Sequence, residues 1–132
     1  MKKALLIATL LLVTVSLSLS AQTIGERSLT KWTYTHITFK AALKTYNQAQ
    51  DPETTLTILT GNCTDFAKLL VTLLKVYHAS ADAHVIICKV PWSKDAHAMV
   101  ACDRDTVFLD GTNGTAYSAL PANYAIIWEE RI

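Results

Sequence analysis

Gly61-Asn62-Cys63-Thr64-Asp65-Phe66-Ala67-Lys68-Leu69-Leu70-Val71-Thr72-Leu73-Leu74-Lys75-Val76-Tyr77-His78 is the stretch that decides how this chain folds. Phe66, Leu69, Leu70, Leu73, Leu74 and Tyr77 recur at three- and four-residue steps, which is one face of an α-helix predicted from Cys63 to about His78. Ala67 and Val71 widen the stripe, so the core is expected to enclose most of the helix and hold its N-terminus rigidly. Asn62 stands at the natural N-cap position, and Asp65 three residues later imitates the acid of a capping box. Cys63 therefore falls in the first turn, where the helix macrodipole and unpaired backbone N–H groups favour a thiolate.

Just upstream, Asp51-Pro52-Glu53 combines a capping acid, a proline at the first helical position and an acid in the first turn. A short helix from Pro52 to about Leu59 is predicted, stopped at Gly61. Further back, Trp32 to Phe39 is aromatic and β-branched and reads as extended, with a helix possible over Phe39 to Ala49. Downstream, strands are predicted at His84–Val90, His97–Cys102, Thr106–Asp110 and Tyr124–Glu129, separated by Pro91, Asp103-Arg104, Gly111 to Gly114 and Pro121. Helices followed by strands make an α+β domain.

The 132 residues are 51% apolar and 17% charged, which excludes disorder and leaves room for one domain. Lys and Arg number 12 against 11 acids, so no basic surface for nucleic acid is expected. The positive mean hydropathy of +0.24 is concentrated at the start. Lys2 and Lys3 precede an apolar run from Ala4 to Val15, then the small residues Ser16, Ser18, Ser20 and Ala21: the three regions of a secretory signal peptide. Residues 1–21 are read as that signal, with Ser20 or Ala21 the last residue removed, and 22–132 as the exported domain, periplasmic or secreted. The competing reading is a membrane anchor, but threonines and serines break the run before it reaches about 20 apolar residues. After cleavage no membrane attachment is expected, since no cysteine follows that could carry a lipid.

Three cysteines, Cys63, Cys88 and Cys102, leave an odd thiol in an exported protein. Cys88 and Cys102 sit on adjacent expected strands and could pair in an oxidising compartment, although the extrapolated register does not bring them opposite each other. With Asp103-Arg104 as a two-residue turn, Cys102 faces Asp105 and His97 faces Asp110, close enough to share a hydrogen bond. A slip of one residue would separate them. Cys63, His97 and Asp110 then supply nucleophile, general acid/base and orienter, with the Cys63 amide as one oxyanion donor. His84 is the rival base, because Asp82-Ala83-His84 echoes Asp95-Ala96-His97, but it lacks a carboxylate across a short hairpin. His36 and His78 lie in segments without partners. The cysteines and His97 lack the close spacing of a structural zinc motif, and Asp110 to Gly114 lacks the spaced acids of a calcium loop.

Gly61 to Ala67, Ala83-His84-Val85, His97-Ala98 and Leu109-Asp110-Gly111-Thr112 together resemble the core of the transglutaminase-like superfamily of papain-fold enzymes. The resemblance runs from about Leu56 to Gly114 and is nearest to bacterial transglutaminase-like cysteine peptidases. It implies a papain-like core, action on amide bonds of a protein or peptide through an acyl-thioester, and catalytic roles for Cys63, His97 and Asp110. Some of those peptidases carry calcium-binding acids on both sides of the cysteine. Asn62 and Thr64 stand here, so neither calcium nor any other cofactor is carried over. The upstream residue that completes the family's oxyanion hole has four candidates, Trp32, Tyr34, Asn47 and Gln48. Other readings of the same residues are a protein-glutamine amine acyltransferase, a cell-wall endopeptidase of the NlpC type, whose third polar residue is usually histidine, and a catalytically idle binding module. Oligomeric state is not legible.

Overall fold

A computed structural model describes residues 25–41 and 48–130. The expected signal segment, residues 1–21, and Asn47 lie outside them. The order is α1 (Gly25–His36), β1 (Thr38–Phe39), α2 (Pro52–Ile58), β2 (Thr60–Gly61), α3 (Cys63–Val76), β3 (His84–Lys89), β4 (His97–Cys102), β5 (Val107–Asp110), β6 (Thr115–Tyr117) and β7 (Ala125–Glu129). The fold is α+β, with an antiparallel five-stranded sheet ordered β6-β5-β4-β3-β7. Among the described residues, no helix is long and apolar enough to cross a membrane.

Helix α3 begins at Cys63 as the pattern required, and its leucines at 69, 70, 73 and 74 are fully buried. It packs on β4 and is flanked by α1 and α2. The sheet face toward the helices carries Val85, Ala98, Val100, Cys102 and Leu109. The other face carries Ile86, Cys88, Met99, Ala101 and Phe108, covered in part by Tyr117, Leu120 and Tyr124. With both faces covered, β4 is buried at every residue, which is why it reads as a nearly continuous apolar run. Cys88 and Cys102 consequently belong to opposite faces, and all three cysteines are free thiols.

Three expectations are corrected. Trp32 to His36 is helical, as part of α1. Leu29, Thr30 and Thr33 are buried there, and burial of that stripe outweighs β-propensity. The threonines fit because Thr30 and Thr33 donate their hydroxyls to the carbonyls of Glu26 and Leu29, at 2.7 and 2.8 Å. The helix considered over Phe39 to Ala49 falls mostly outside the described residues, and Phe39 itself is in β1.

The β4–β5 connection has four residues, not two: Cys102 pairs with Val107 and Val100 with Leu109. Asp103, Arg104 and Asp105 all adopt left-handed backbone, with φ of 55, 57 and 60°. Such residues cost about 1–3 kcal/mol each. The Asp82 carboxylate offsets part of this by accepting the Asp103 and Arg104 N–H groups at 2.9 and 2.6 Å. The register moves by two residues, so Asp110 sits diagonally from His97 and stays on the same face.

Gly61 is not the stop of α2. Leu59, with φ of 58°, makes the left-handed C-cap, and Gly61 pairs with Phe39 in the parallel β1–β2 ribbon. Its lack of a side chain matters elsewhere, since a Cβ at 61 would lie 2.6 Å from the Cβ of Asp65. Gly61→Ala should therefore destabilise the domain by about 1–3 kcal/mol, read as a lower urea midpoint with an unchanged slope.

Candidate functional site

Asp65 is fully buried and ties down the start of α3. One carboxylate oxygen accepts the Asn62 N–H at 2.9 Å, and the other accepts the Gln50 N–H at 2.8 Å. Asn62 returns its side-chain oxygen to the Asp65 N–H at 3.1 Å, completing the capping box. Cys63 is held between these groups at the first helical position, partly exposed, and its own N–H belongs to the helix's set without an intrahelical acceptor.

His97 opens β4 and Asp110 closes β5. Both are buried, and His97 Nε2 lies 2.7 Å from Asp110 Oδ2. The other oxygen of Asp110 accepts the N–H and hydroxyl of Thr112 at 2.9 and 2.6 Å. With Nε2 so engaged, Nδ1 is the ring nitrogen left to face Cys63, whose thiol feels the His97 side chain, the Ala98 backbone and the Thr64 side chain. Helix and hairpin thus bring Cys63 and the hydrogen-bonded His97–Asp110 pair to the same cleft.

Each of the three titrates away from its ordinary value, against its own burial. Burial pushes the Cys63 thiol up, but hydrogen bonds from His97 and Ala98 and the charge of His97 outweigh it and bring the thiol down. Burial pushes His97 down, but its bonds to Asp110 and Cys63 and their negative charges raise it to about 9. Burial pushes the Asp110 carboxyl up, but His97 and Thr112 hold it below the usual carboxylate range. Each group is therefore shifted toward its charged form, thiolate, imidazolium and carboxylate, by the charge or hydrogen bonds of its neighbours.

The site opens into a cleft of about 840 Å³, lined by Phe39, Asn62, Cys63, Thr64, Ile87, Trp92, Ser93 and His97 among others. Trp92 sets its ring edge-on against His97, with centroids 4.9 Å apart, and donates its indole N–H to the Tyr124 hydroxyl at 2.8 Å. Trp92 carries no sequence signal of its own, and Thr112 none beyond closing the Leu109-Asp110-Gly111-Thr112 stretch. Of the four oxyanion candidates, Trp32, Tyr34 and Gln48 do not line the cleft. His84 lies at the opposite end of the sheet: it pairs with Ala101, whereas Cys88, four residues on, pairs with His97.

The residues beside Cys63 do not fit a cation. Asn62 and Thr64 bring no carboxylate, and both oxygens of Asp65 are already occupied by N–H groups.

A family model for the transglutaminase-like superfamily matches residues 14–106. No curated protein matches the sequence significantly. Among solved structures, calcium-bound LapG of Legionella pneumophila superposes with a TM-score of 0.71 at 12% identity, over 82% of this chain and 64% of that one. A candidate cysteine protease of Cytophaga hutchinsonii superposes with a TM-score of 0.62 at 18% identity, over 80% of this chain and 35% of that one. The chain thus spans less than two thirds of the first protein and about a third of the second, and at these identities the likeness concerns the fold.

Two pH responses follow. Iodoacetamide should alkylate Cys63 with a rate midpoint below the ordinary thiol value of about 8.5, and Asp110→Asn should move that midpoint upward. Because His97 is raised on folding, its contribution to stability is complete below its unfolded value of about 6.5 and is lost as pH rises through about 9. Urea midpoints measured across that interval should fall in the native protein and stay flatter in His97→Ala.

Proposed function

The chain belongs to the transglutaminase-like superfamily, and from that membership we propose that it is a cysteine-dependent hydrolase that cleaves amide bonds of a protein or peptide substrate. The observation that carries this reading is the 2.7 Å His97–Asp110 bond beside a thiol with a lowered pKa. Cys63 Sγ attacks the substrate carbonyl carbon, and the negative charge moves to the carbonyl oxygen, toward the Cys63 N–H at the positive end of α3. His97 gives its proton to the departing amine as the C–N bond breaks, leaving an acyl-thioester. Neutral His97 then takes a proton from water. The hydroxide adds to the thioester, the carboxylic acid leaves, and the thiolate–imidazolium pair is restored. Throughout, Asp110 orients the ring and stabilises its charged form.

Export is part of the same proposal and is supported by the lysines, apolar run and small residues at the start. The exported protein should begin at Ala21 or Gln22 when its N-terminus is sequenced.

An electrophilic peptide probe should label Cys63 in the native protein, and His97→Ala should slow labelling by about 10²-fold or more at neutral pH. Labelling at an undiminished rate in the variant would remove the triad. Incubation with a glutamine peptide and a labelled amine should release acid without incorporating label; incorporation would move the reading to amine transfer.

A further inference from the structure

His84, at the end of the sheet away from Cys63, has surroundings that the hydrolase does not use. It is 92% buried, at 8% exposure. Its Nδ1 lies 3.0 Å from the Asp82 carbonyl oxygen. A carbonyl only accepts, so Nδ1 carries the hydrogen, and in the neutral ring Nε2 presents a bare lone pair. That Nε2 has no hydrogen-bond partner. It points instead at two carboxylate oxygens, Asp105 Oδ1 and Glu129 Oε1, each at 3.6 Å.

A lone pair facing two anionic oxygens is repulsive unless positive charge sits between them. A proton on Nε2 would give two long ion pairs and no hydrogen bond, because 3.6 Å exceeds the reach of an N–H···O bond, about 2.7–3.2 Å. A metal ion serves better. Ligands about 2.0–2.2 Å from a tetrahedral zinc lie about 3.3–3.6 Å from one another, and the three ligand atoms here are all within 4.8 Å of one another. The Asp82 carbonyl is the outer partner that a metal-bound histidine ordinarily has, holding the ring and its tautomer.

We propose that His84 Nε2, Asp105 Oδ1 and Glu129 Oε1 form a binding site for a transition-metal dication of the zinc class. The imidazole nitrogen selects against calcium, which prefers oxygen ligands throughout. The partial exposure of Asp105 and Glu129 leaves the site open to solvent and to a water as fourth ligand. An ion there joins three separate segments: the start of β3, the β4–β5 loop and the end of the edge strand β7. About 13 Å of strand lies between this site and the level of His97, so the role is a structural staple, separate from the thiol chemistry.

The test is a titration of the full chain with zinc, followed by calorimetry and melting temperature. One zinc per chain should bind, raise the melting temperature, be reversed by a chelator, and be matched by no effect of calcium. Cobalt in place of zinc should give a spectrum without a thiolate charge-transfer band, which separates this site from one at Cys63. Because His84 is buried and its removal could impair folding, the variants are the more exposed Asp105→Asn and Glu129→Gln. The double variant should melt like the native protein without metal and bind zinc at least about tenfold more weakly. The proposal is overturned if zinc does not bind, if the double variant retains the effect, or if the cobalt spectrum shows thiolate ligation.

Discussion

The buried carboxylate of Asp65 is the constraint on which the site depends. A carboxylate withdrawn from water is costly unless its oxygens are hydrogen-bonded, and here one N–H comes from Asn62 and another from Gln50, fifteen residues upstream. The arrangement joins the segment before α2 to the first turn of α3 and leaves Cys63 little positional freedom. Gly61 is part of the same unit, because only a missing side chain lets the Asp65 carboxylate lie so close to the backbone.

The rest of the site is a consequence of how the sheet is covered. β4 is buried on both faces and begins at a histidine, and the neighbouring β5 ends at an aspartate, so an imidazole and a carboxylate are placed side by side with almost no water. In such surroundings their interaction strengthens, which is how burial that would neutralise each group alone yields a charged pair. Trp92 stands against the imidazole and is itself held by the Tyr124 hydroxyl.

The paired tripeptides Asp82-Ala83-His84 and Asp95-Ala96-His97 show how little a local likeness determines. His97 meets the carboxylate that ends β5 and the sulfur that begins α3. His84 meets the loop and the edge strand at the other end of the sheet. The two acids diverge as well: Asp82 accepts N–H groups of the strained β4–β5 loop, while the Asp95 backbone N–H bonds to Ser93 Oγ. Identical residue types receive their chemistry from whatever the sheet places across from them.

Helix α3, its capping box, the short α2 and the span of β4 were determined by the amino-acid sequence alone, since each rests on interactions within a few residues that leave a periodic or punctuated trace. Cys63 belongs with them. Helix α1 does not, because its threonines prefer strands until burial against α3 decides otherwise. The β4–β5 register does not either: a two-residue and a four-residue turn are equally readable from Asp103 to Thr106, and the four-residue turn is the one held by the Asp82 carboxylate, 21 residues before Asp103 in the chain. His97 and Asp110 could be named from the sequence because a shift of two residues preserves the face on which a side chain points. Their distance, their partners Thr112 and Trp92, and the charge they share with Cys63 were decided only by the tertiary structure, since loop conformation and burial of both sheet faces set them and neither is a local property of the chain.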